Sequence, residues 1–433
     1  MRLTSVPDLD LPGGPLRSLA LTVGEDLRPL PVSFDQGRHV GLGQRPGSWM
    51  AVAVVLPHAV TTDQLTAAWL AVVARHGTLR TVFTPGDDGS VRLHEVQVLP
   101  GRWLEHEVPD GQRPRDVLRV VLDEACAPYA RPSHRLVVAG GDSDHPTLVV
   151  GLDHAHTDAW SLLVLARDLM TCLDDVLAGR EPGAALAPVD AFADHSALLE
   201  SMPPAPEEVR RRWAEILAAG GGSMPTFPLP LGDVSTPQPD VVEVRDVLDE
   251  VELARFDEVV QQRGHRMFSV AVSVLTRVSA EMAGVPLRAV LPVHSRLEDR
   301  WHDSVGWFIT NAVIESRDPD PTACAGAVRE AIRLGSHPLG PIMAPYGGMP
   351  AGPGMFAISW LDNRRLPVTV DRALRPRHVS AVIRTDGVMI WFVINDSGLH
   401  LRCRSPDTPE AHVSVPAWLN AVCSGLRDQL TLP

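Results

Sequence analysis

TLVVGLDHAHTDAWS, residues 147–161, passes from an unbroken apolar run into two histidines and two aspartates and out again into an amphipathic stretch. The apolar run predicts a buried strand over 147–153, and the hydrophobic spacing beyond it predicts a helix over about 159–177. His154 and Asp158 therefore stand four apart at a junction where a core strand gives way to a helix. A side chain at the end of a core strand is rigidly held and still faces a cleft, which is where a general base is of use.

An unperturbed imidazole, with a pKa of ~6.5, is mostly neutral at neutral pH, so its free nitrogen can accept a proton from an attacking hydroxyl or amine. His154 is the candidate base on that ground. Asp158 is assigned a structural part, shaping backbone or pairing with an arginine, because the turn between the two residues need not bring them into contact. An H-x-x-x-D spacing is weak by itself, since 17 histidines in an acid-rich chain give on the order of one such match by chance. The plain alternative is that Asp158 caps the helix and His154 is a satisfied core histidine.

Outward from this junction, after an irregular Pro-rich start, residues 49–57 (WMAVAVVLP) predict a buried strand. Residues 61–77 (TTDQLTAAWLAVVARHG) predict an amphipathic helix with a Thr cap. Short strands follow at 79–83, 91–98 and 134–139, with a helix at 114–126. The stretch GREPGAALAP, 179–188, has no periodicity and suits a crossing between two halves, 1–180 and 181–433. The second half repeats the mixture, with strands at 241–248, 287–292, 308–315, 355–361, 380–384, 388–395 and 399–402. Its helices fall at 252–262, 267–283, 322–334 and 416–430. Two α/β sandwiches result, in keeping with 433 residues, more than the ~250 to 300 at which single cores stop growing.

Composition narrows the function classes. Hydrophobic residues make up 45% and charged residues 21% of the chain, as in globular proteins. The apolar runs are of strand length, far below the ~18 residues of a membrane span, and the acidic, Pro-containing start lacks the pattern of an export signal; a cytoplasmic location is expected. A net charge of −14 opposes nucleic acid as a partner. All 39 Lys/Arg positions are Arg, a bias of composition with no chemical meaning. Cys126, Cys172, Cys324, Cys403 and Cys423 are widely scattered and read as buried or idle thiols. No set of His, Cys and acids has metal-ligand spacing, and no Gly-rich phosphate loop or G-x-S-x-G elbow is present.

Several segments, in order along the chain, resemble the condensation domains of nonribosomal peptide synthetases and their free-standing acyltransferase relatives. VSFDQGRHV (32–40) is similar to the family's S-x-x-Q opening, and RHGTLRTVF (75–83) to its R-H-E-x-L-R-T-x-F. DHAHTDAWS (153–161) is similar to the active-site motif H-H-x-x-x-D-G-x-S, with His154 on the catalytic histidine, Asp158 on the aspartate and Ser161 on the serine. SVGWFITNAVIESR (304–317) resembles V-G-x-F-x-N-T, and VLPVHSR before it puts Arg296 where the family keeps an arginine paired with the motif aspartate. The C-terminal part, SWLDNRRLP (359–367) and 382–407, looks most like mycobacterial polyketide-associated acyltransferases.

The resemblance implies two chloramphenicol-acetyltransferase-like halves in a V, with a central tunnel. It also implies transfer of an acyl group from a phosphopantetheine thioester, on an acyl carrier protein or coenzyme A, to a small-molecule or carrier-bound alcohol or amine. No cofactor beyond the donor's phosphopantetheine arm is expected, and the chain is taken as a monomer. Three departures stand out. Asp153 replaces the motif's first histidine. Ala159 replaces the glycine whose backbone N–H lies near the reacting carbonyl, which leaves Ala159 a candidate oxyanion donor. Asn311 follows Thr310 instead of preceding it. Trp307 and Ser161 are the remaining pocket candidates, and Arg210–Arg212 a short basic run on a helix. The altered residues keep two other readings open: an inactive recruitment domain, and a heterocyclisation enzyme, whose D-x-x-x-x-D-x-x-S pattern Asp153, Asp158 and Ser161 also satisfy.

Overall fold

A computed structural model describes residues 2–430. The chain forms two compact α/β units. The first takes residues 1–202 together with two later segments, 296–309 and 366–383; the second takes 203–295, 310–365 and 384–433. The expected boundary after residue 180 is thus displaced, and neither unit is one continuous stretch. The displacement has a packing cause: the helix Phe192–Ser201 belongs to the first unit, with Phe192 buried edge-on to Phe308 at 4.8 Å between ring centroids.

The first unit is built on an eight-stranded sheet. In chain order its strands are β1 (Arg2–Ser5), β2 (Leu16–Leu30), β3 (Trp49–Val55), β4 (Thr81–Pro85), β5 (Val91–His106), β6 (His134–Ala139) and β7 (Thr147–Asp153), joined by the strand Arg377–Ser380. That last strand lies between β1 and β3, parallel to the first and antiparallel to the second. At the centre β7 is antiparallel to both β3 and β6. Alternation along these strands buries both faces. Val52, Val54, Leu148, Val150 and Leu152 pack with Trp69 and Val72 of α2 (Thr62–Arg75) and with Leu162 and Leu165 of α4 (Ala159–Leu177). Ala51, Ala53 and Val149 pack on the other face with Leu118 and Leu122 of α3 (Pro114–Ala125). The close approach of α3 requires Gly151, because a Cβ there would lie 2.6 Å from Leu122.

Local sequence explains most of these elements. Thr61 caps α2 by accepting the Gln64 N–H, and α1 (Phe34–Val40) starts with a full capping box of Ser33 and Gln36. Differences from the sequence reading fall where local signals compete. The Pro-rich start holds two strands; β2 carries polar residues along its second half, which hides it from an alternation test. The expected strand at 79–83 begins as a 3-10 turn, Gly77–Arg80, and becomes β4 only at Thr81.

The second unit has a seven-stranded sheet of Gln238–Leu248, Leu287–His294, Ile309–Ser316, Phe356–Asp362, Arg384–Thr385, Val388–Asn395 and Gly398–Pro406. The expected strand at 380–384 is two separate ones, since residues 381–383 leave one unit's sheet for the other's. The last helix, Pro409–Asp428, begins seven residues before its expected start at Pro416. Thr408 caps it and Pro409 takes the first turn, a place that suits a proline equally well. On the helix Glu207–Ala219, Arg210 pairs with Glu207, and Arg212 pairs with Glu215 and Glu315, so the basic run is a neutralised face. Among the described residues no helix is long and apolar enough to cross a membrane.

Gly306, in the returning segment, likewise leaves no room for a side chain: a Cβ there would lie 2.4 Å from the Phe192 ring. Gly306→Ala is expected to lower unfolding stability by about 1–3 kcal/mol through overpacking. Adding Phe192→Ala should relieve the clash, so that the double variant is less destabilised than the sum of the singles in thermal denaturation; an additive double would remove this contact from the account.

Candidate active site

His154 opens a one-turn 3-10 helix, His154–His156, directly after β7, and Asp158 caps α4. Four fastenings hold this loop. The His154 N–H donates to the Ser48 carbonyl at 2.8 Å. The Ala155 N–H donates to Asp153 Oδ1 at 2.9 Å. Gln36 Nε2, from α1, donates to the Ala155 carbonyl at 2.8 Å. The Ser161 N–H donates to Asp158 Oδ1 at 2.7 Å.

The other Asp158 oxygen carries the buried ion pair. Arg296 Nη1 donates to Asp158 Oδ2 at 2.7 Å, and the Phe308 N–H reaches the same oxygen at 3.0 Å. Arg296 Nε donates to the Trp301 carbonyl, and Nη2 to Ser161 Oγ at 2.7 Å and the Ser304 carbonyl at 3.0 Å. The guanidinium carbon lies 4.0 Å from the Phe308 ring centroid and 5.0 Å from that of Trp160. Both side chains are shut from solvent, at 0% exposure for Arg296 and 2% for Asp158. Ser161 Oγ in turn donates to the Gly306 carbonyl at 2.8 Å and accepts the Gly306 N–H at 3.1 Å. Asp158 therefore does what both readings asked of it, with one oxygen for the cap and the other for the arginine.

His154 itself is half-buried. Its Nδ1 is shut from solvent without a hydrogen-bond partner, which leaves Nε2 as the nitrogen able to meet an incoming group. The Trp307 ring lies against it, 4.2 Å between centroids and tilted by 46°. Burial, reinforced by His39, pushes the imidazole down to about 4, against the opposing pull of Asp153 and Asp158. The ring is therefore unprotonated at neutral pH. Ala159 is the first residue of α4, where the backbone N–H has no partner within the helix.

His156 is buried, with Nδ1 3.1 Å from Ser133 Oγ and its ring edge-on to Phe83. The R-H-x-x-L-R segment holds α4: Arg75 Nε and His76 Nε2 both meet the buried Asp168, at 2.8 and 2.9 Å. Burial alone would raise the Asp168 carboxyl, yet the bonds from His76 and Arg167 hold it below the usual carboxylate range. Thr78 Oγ1 donates to the Val305 carbonyl at 2.6 Å. All five cysteines are buried free thiols; burial pushes Cys172 up to about 11 and Cys403 up to about 12. No group of three or more His, Cys, Asp or Glu among the described residues is placed to hold a metal. Two site residues escaped the sequence reading, His39 and Arg45. His39 Nε2 lies 3.2 Å from Asp153 Oδ2 across 114 positions of sequence, a pairing with no local signature.

A family profile described as Condensation domain matches residues 41–331, which is more than half of the chain and contains every fastening around His154 except those from α1. The chain belongs to the condensation-domain family. It is 23% identical over 415 residues to acyltransferase PapA3 of Mycobacterium tuberculosis, covering 90% of this chain and 87% of that one. It is 25% identical over 308 residues to the phosphinothricin tripeptide synthetase PhsC of Streptomyces viridochromogenes, covering 68% of this chain but 26% of the synthetase. Among solved structures, PapA2 acyl transferase matches with a TM-score of 0.84 at 19% identity, over 99% of this chain and all of that one. The X-domain from teicoplanin biosynthesis matches at 0.74, also at 19% identity, over 96% of this chain and 98% of that one. The first condensation domain of the calcium-dependent antibiotic synthetase shares the fold, with a TM-score of 0.70. The mixed α/β fold with two sheets is thus that of the family.

Two outcomes follow from this condensation-domain site. Asp158→Ala leaves Arg296 as a buried charge without its carboxylate, which should cost about 3–5 kcal/mol of stability, visible as a lowered melting temperature; a wild-type melting temperature would contradict the pairing. Second, His134, His154 and His156 are held neutral with pKa values pushed down by burial to about 3, 4 and 4 from 6.5. The unfolded chain then binds protons that the folded chain does not, so stability is full above pH ~6.5 and falls as the pH drops toward 4, by up to about 1.4 kcal/mol per pH unit for each group. Melting curves from pH 8 to 4 should be flat at first and then fall; a flat profile throughout would refute the neutral, buried assignment.

Proposed function

We propose that this chain is a condensation-type acyltransferase. It moves an acyl group from a phosphopantetheine thioester, on a carrier protein or coenzyme A, to a hydroxyl or amine, with His154 as the general base. The observation that carries the reading is the unprotonated His154 at the end of β7, with Nδ1 closed off, Nε2 left for substrate and the Asp158–Arg296 pair fixing the loop behind it.

In the reaction the acceptor's oxygen or nitrogen attacks the thioester carbonyl carbon while His154 Nε2 takes its proton. A resting pKa near 4 makes the ring a weak base. It suffices, because the acceptor's proton becomes strongly acidic as the new bond to carbon forms. The tetrahedral oxyanion then draws on the Ala159 N–H at the start of α4, where the helix dipole favours negative charge. Collapse breaks the C–S bond, and the departing sulfur takes the proton from the His154 imidazolium, leaving an ester or amide and a free thiol. Asp153 and Asp158, whose charges favour the protonated ring, steady that imidazolium.

The test is to incubate the protein with acyl-coenzyme A and acyl-carrier donors and a panel of alcohols and amines, and to weigh the products by mass spectrometry. Transfer should appear with wild type and fall by about 10² to 10⁴ in His154→Ala, with the melting temperature little changed. The acid limb of kcat/KM should lie near pH 4, well below that of an ordinary imidazole. Full turnover by His154→Ala would overturn the base; carrier binding without any product would favour a recruitment role.

A further inference from the structure

Asp153, which stands where the family motif has its first histidine, has a definite task in the fold. Its Oδ1 accepts the Ala155 N–H, and its Oδ2 faces His39 Nε2 at 3.2 Å. Arg45 Nη2 lies 2.9 Å from His39 Nδ1 and 3.3 Å from Nε2, while Arg45 Nη1 donates to the carbonyls of His39 and Gly43 at 2.9 and 3.1 Å. The ring is thus held between the Asp153 carboxylate and the Arg45 guanidinium. It stands 5.8 Å from the His154 ring, tilted by 44°, and edge-on to Trp307 at 5.4 Å. Three rings therefore meet in pairs: His154 on Trp307, Trp307 on His39 and His39 on His154.

We propose that His39 is a positioning residue of this site: anchored by Asp153 and Arg45, it closes the His154–Trp307 pair from the third side and holds the His154 ring with Nε2 toward the reacting group. The inference rests on the reading of His154 as the base and deepens it. An imidazole that the motif lacks next to His154 is supplied from α1, and the aspartate that replaced it is its tether. The ionisable groups that bear on His154 are His39 from α1, with Arg45 behind it, and Asp153 and Asp158 from its own stretch. His39 opposes protonation of His154 and the two aspartates favour it. Arg45 is itself bound to the His39 carbonyl, and Arg296 to Asp158, so neither is loose beside the ring.

Nuclear magnetic resonance of the full chain, labelled at histidine and with the His154 signals assigned by their loss in His154→Ala, tests this without a substrate. In His39→Leu and Asp153→Ala the His154 ring signals should broaden or move as the ring is released from Trp307, and in His39→Leu, which removes the group opposing protonation, its titration midpoint should rise by roughly one pH unit. His39→Gln offers an acceptor to Arg45 and a donor to Asp153 at nearly the spacing of the imidazole nitrogens, so its His154 signals should stay closer to wild type than those of His39→Leu. His134, buried elsewhere against Trp69 at 5.5 Å, reports whether each variant is folded. If Asp153→Ala does not fold, the two His39 variants decide. A folded His39→Leu with unchanged His154 signals and midpoint would overturn the positioning role. Such a result beside an inactive His154→Ala removes this proposal alone, whereas a fully active His154→Ala removes the base reading.

Discussion

A guanidinium shut away from solvent needs hydrogen-bond partners for its nitrogens, and in Arg296 all three nitrogens have them. Its partners are a carboxylate, a hydroxyl and two carbonyls, with aromatic rings on its faces. They come from the cap of α4, from the body of that helix and from the segment that carries Arg296 itself. Moving any one of them strands a charge, which makes the arrangement close to all-or-none. His154 sits four residues before the carboxylate, so the same constraint sets where the candidate base stands.

The separate sequence motifs turn out to be parts of one fastening. Gln36 of the opening segment holds the Ala155 carbonyl, Thr78 holds the Val305 carbonyl, and Ser161 both gives to and takes from Gly306. Arg75 and His76 secure the far side of α4 through Asp168. Each motif is short and weak because each supplies one or two contacts; together they brace α4, the loop before it and the segment around Val305 and Gly306.

Elements governed by local pattern could be read from the chain: β6, β7 and α4 occupy their expected residues, since apolar runs and an Asp cap leave little choice. Elements governed by distant partners could not. Arg377–Ser380 is a strand because β1 and β3 flank it, and β2 is long because β5 pairs along its polar half. The same division runs through the site. His154, Asp158 and Arg296 were visible as motif positions, whereas His39 and Arg45 became visible only once folding brought α1 beside Asp153. Asp158 shows a third case, in which two readings that seemed exclusive are both satisfied, one by each carboxylate oxygen.

The discontinuous make-up of the first unit bears on how the protein is made. When residue 202 leaves the ribosome, the nascent chain has α4 and its cap but no Arg296 to neutralise Asp158, and a gap in its sheet where Arg377–Ser380 belongs. The lobe that carries His154 is thus completed late in translation, after most of the second lobe has already been synthesised. A gene fragment ending at residue 202 would encode the histidine but not the arginine that seats it.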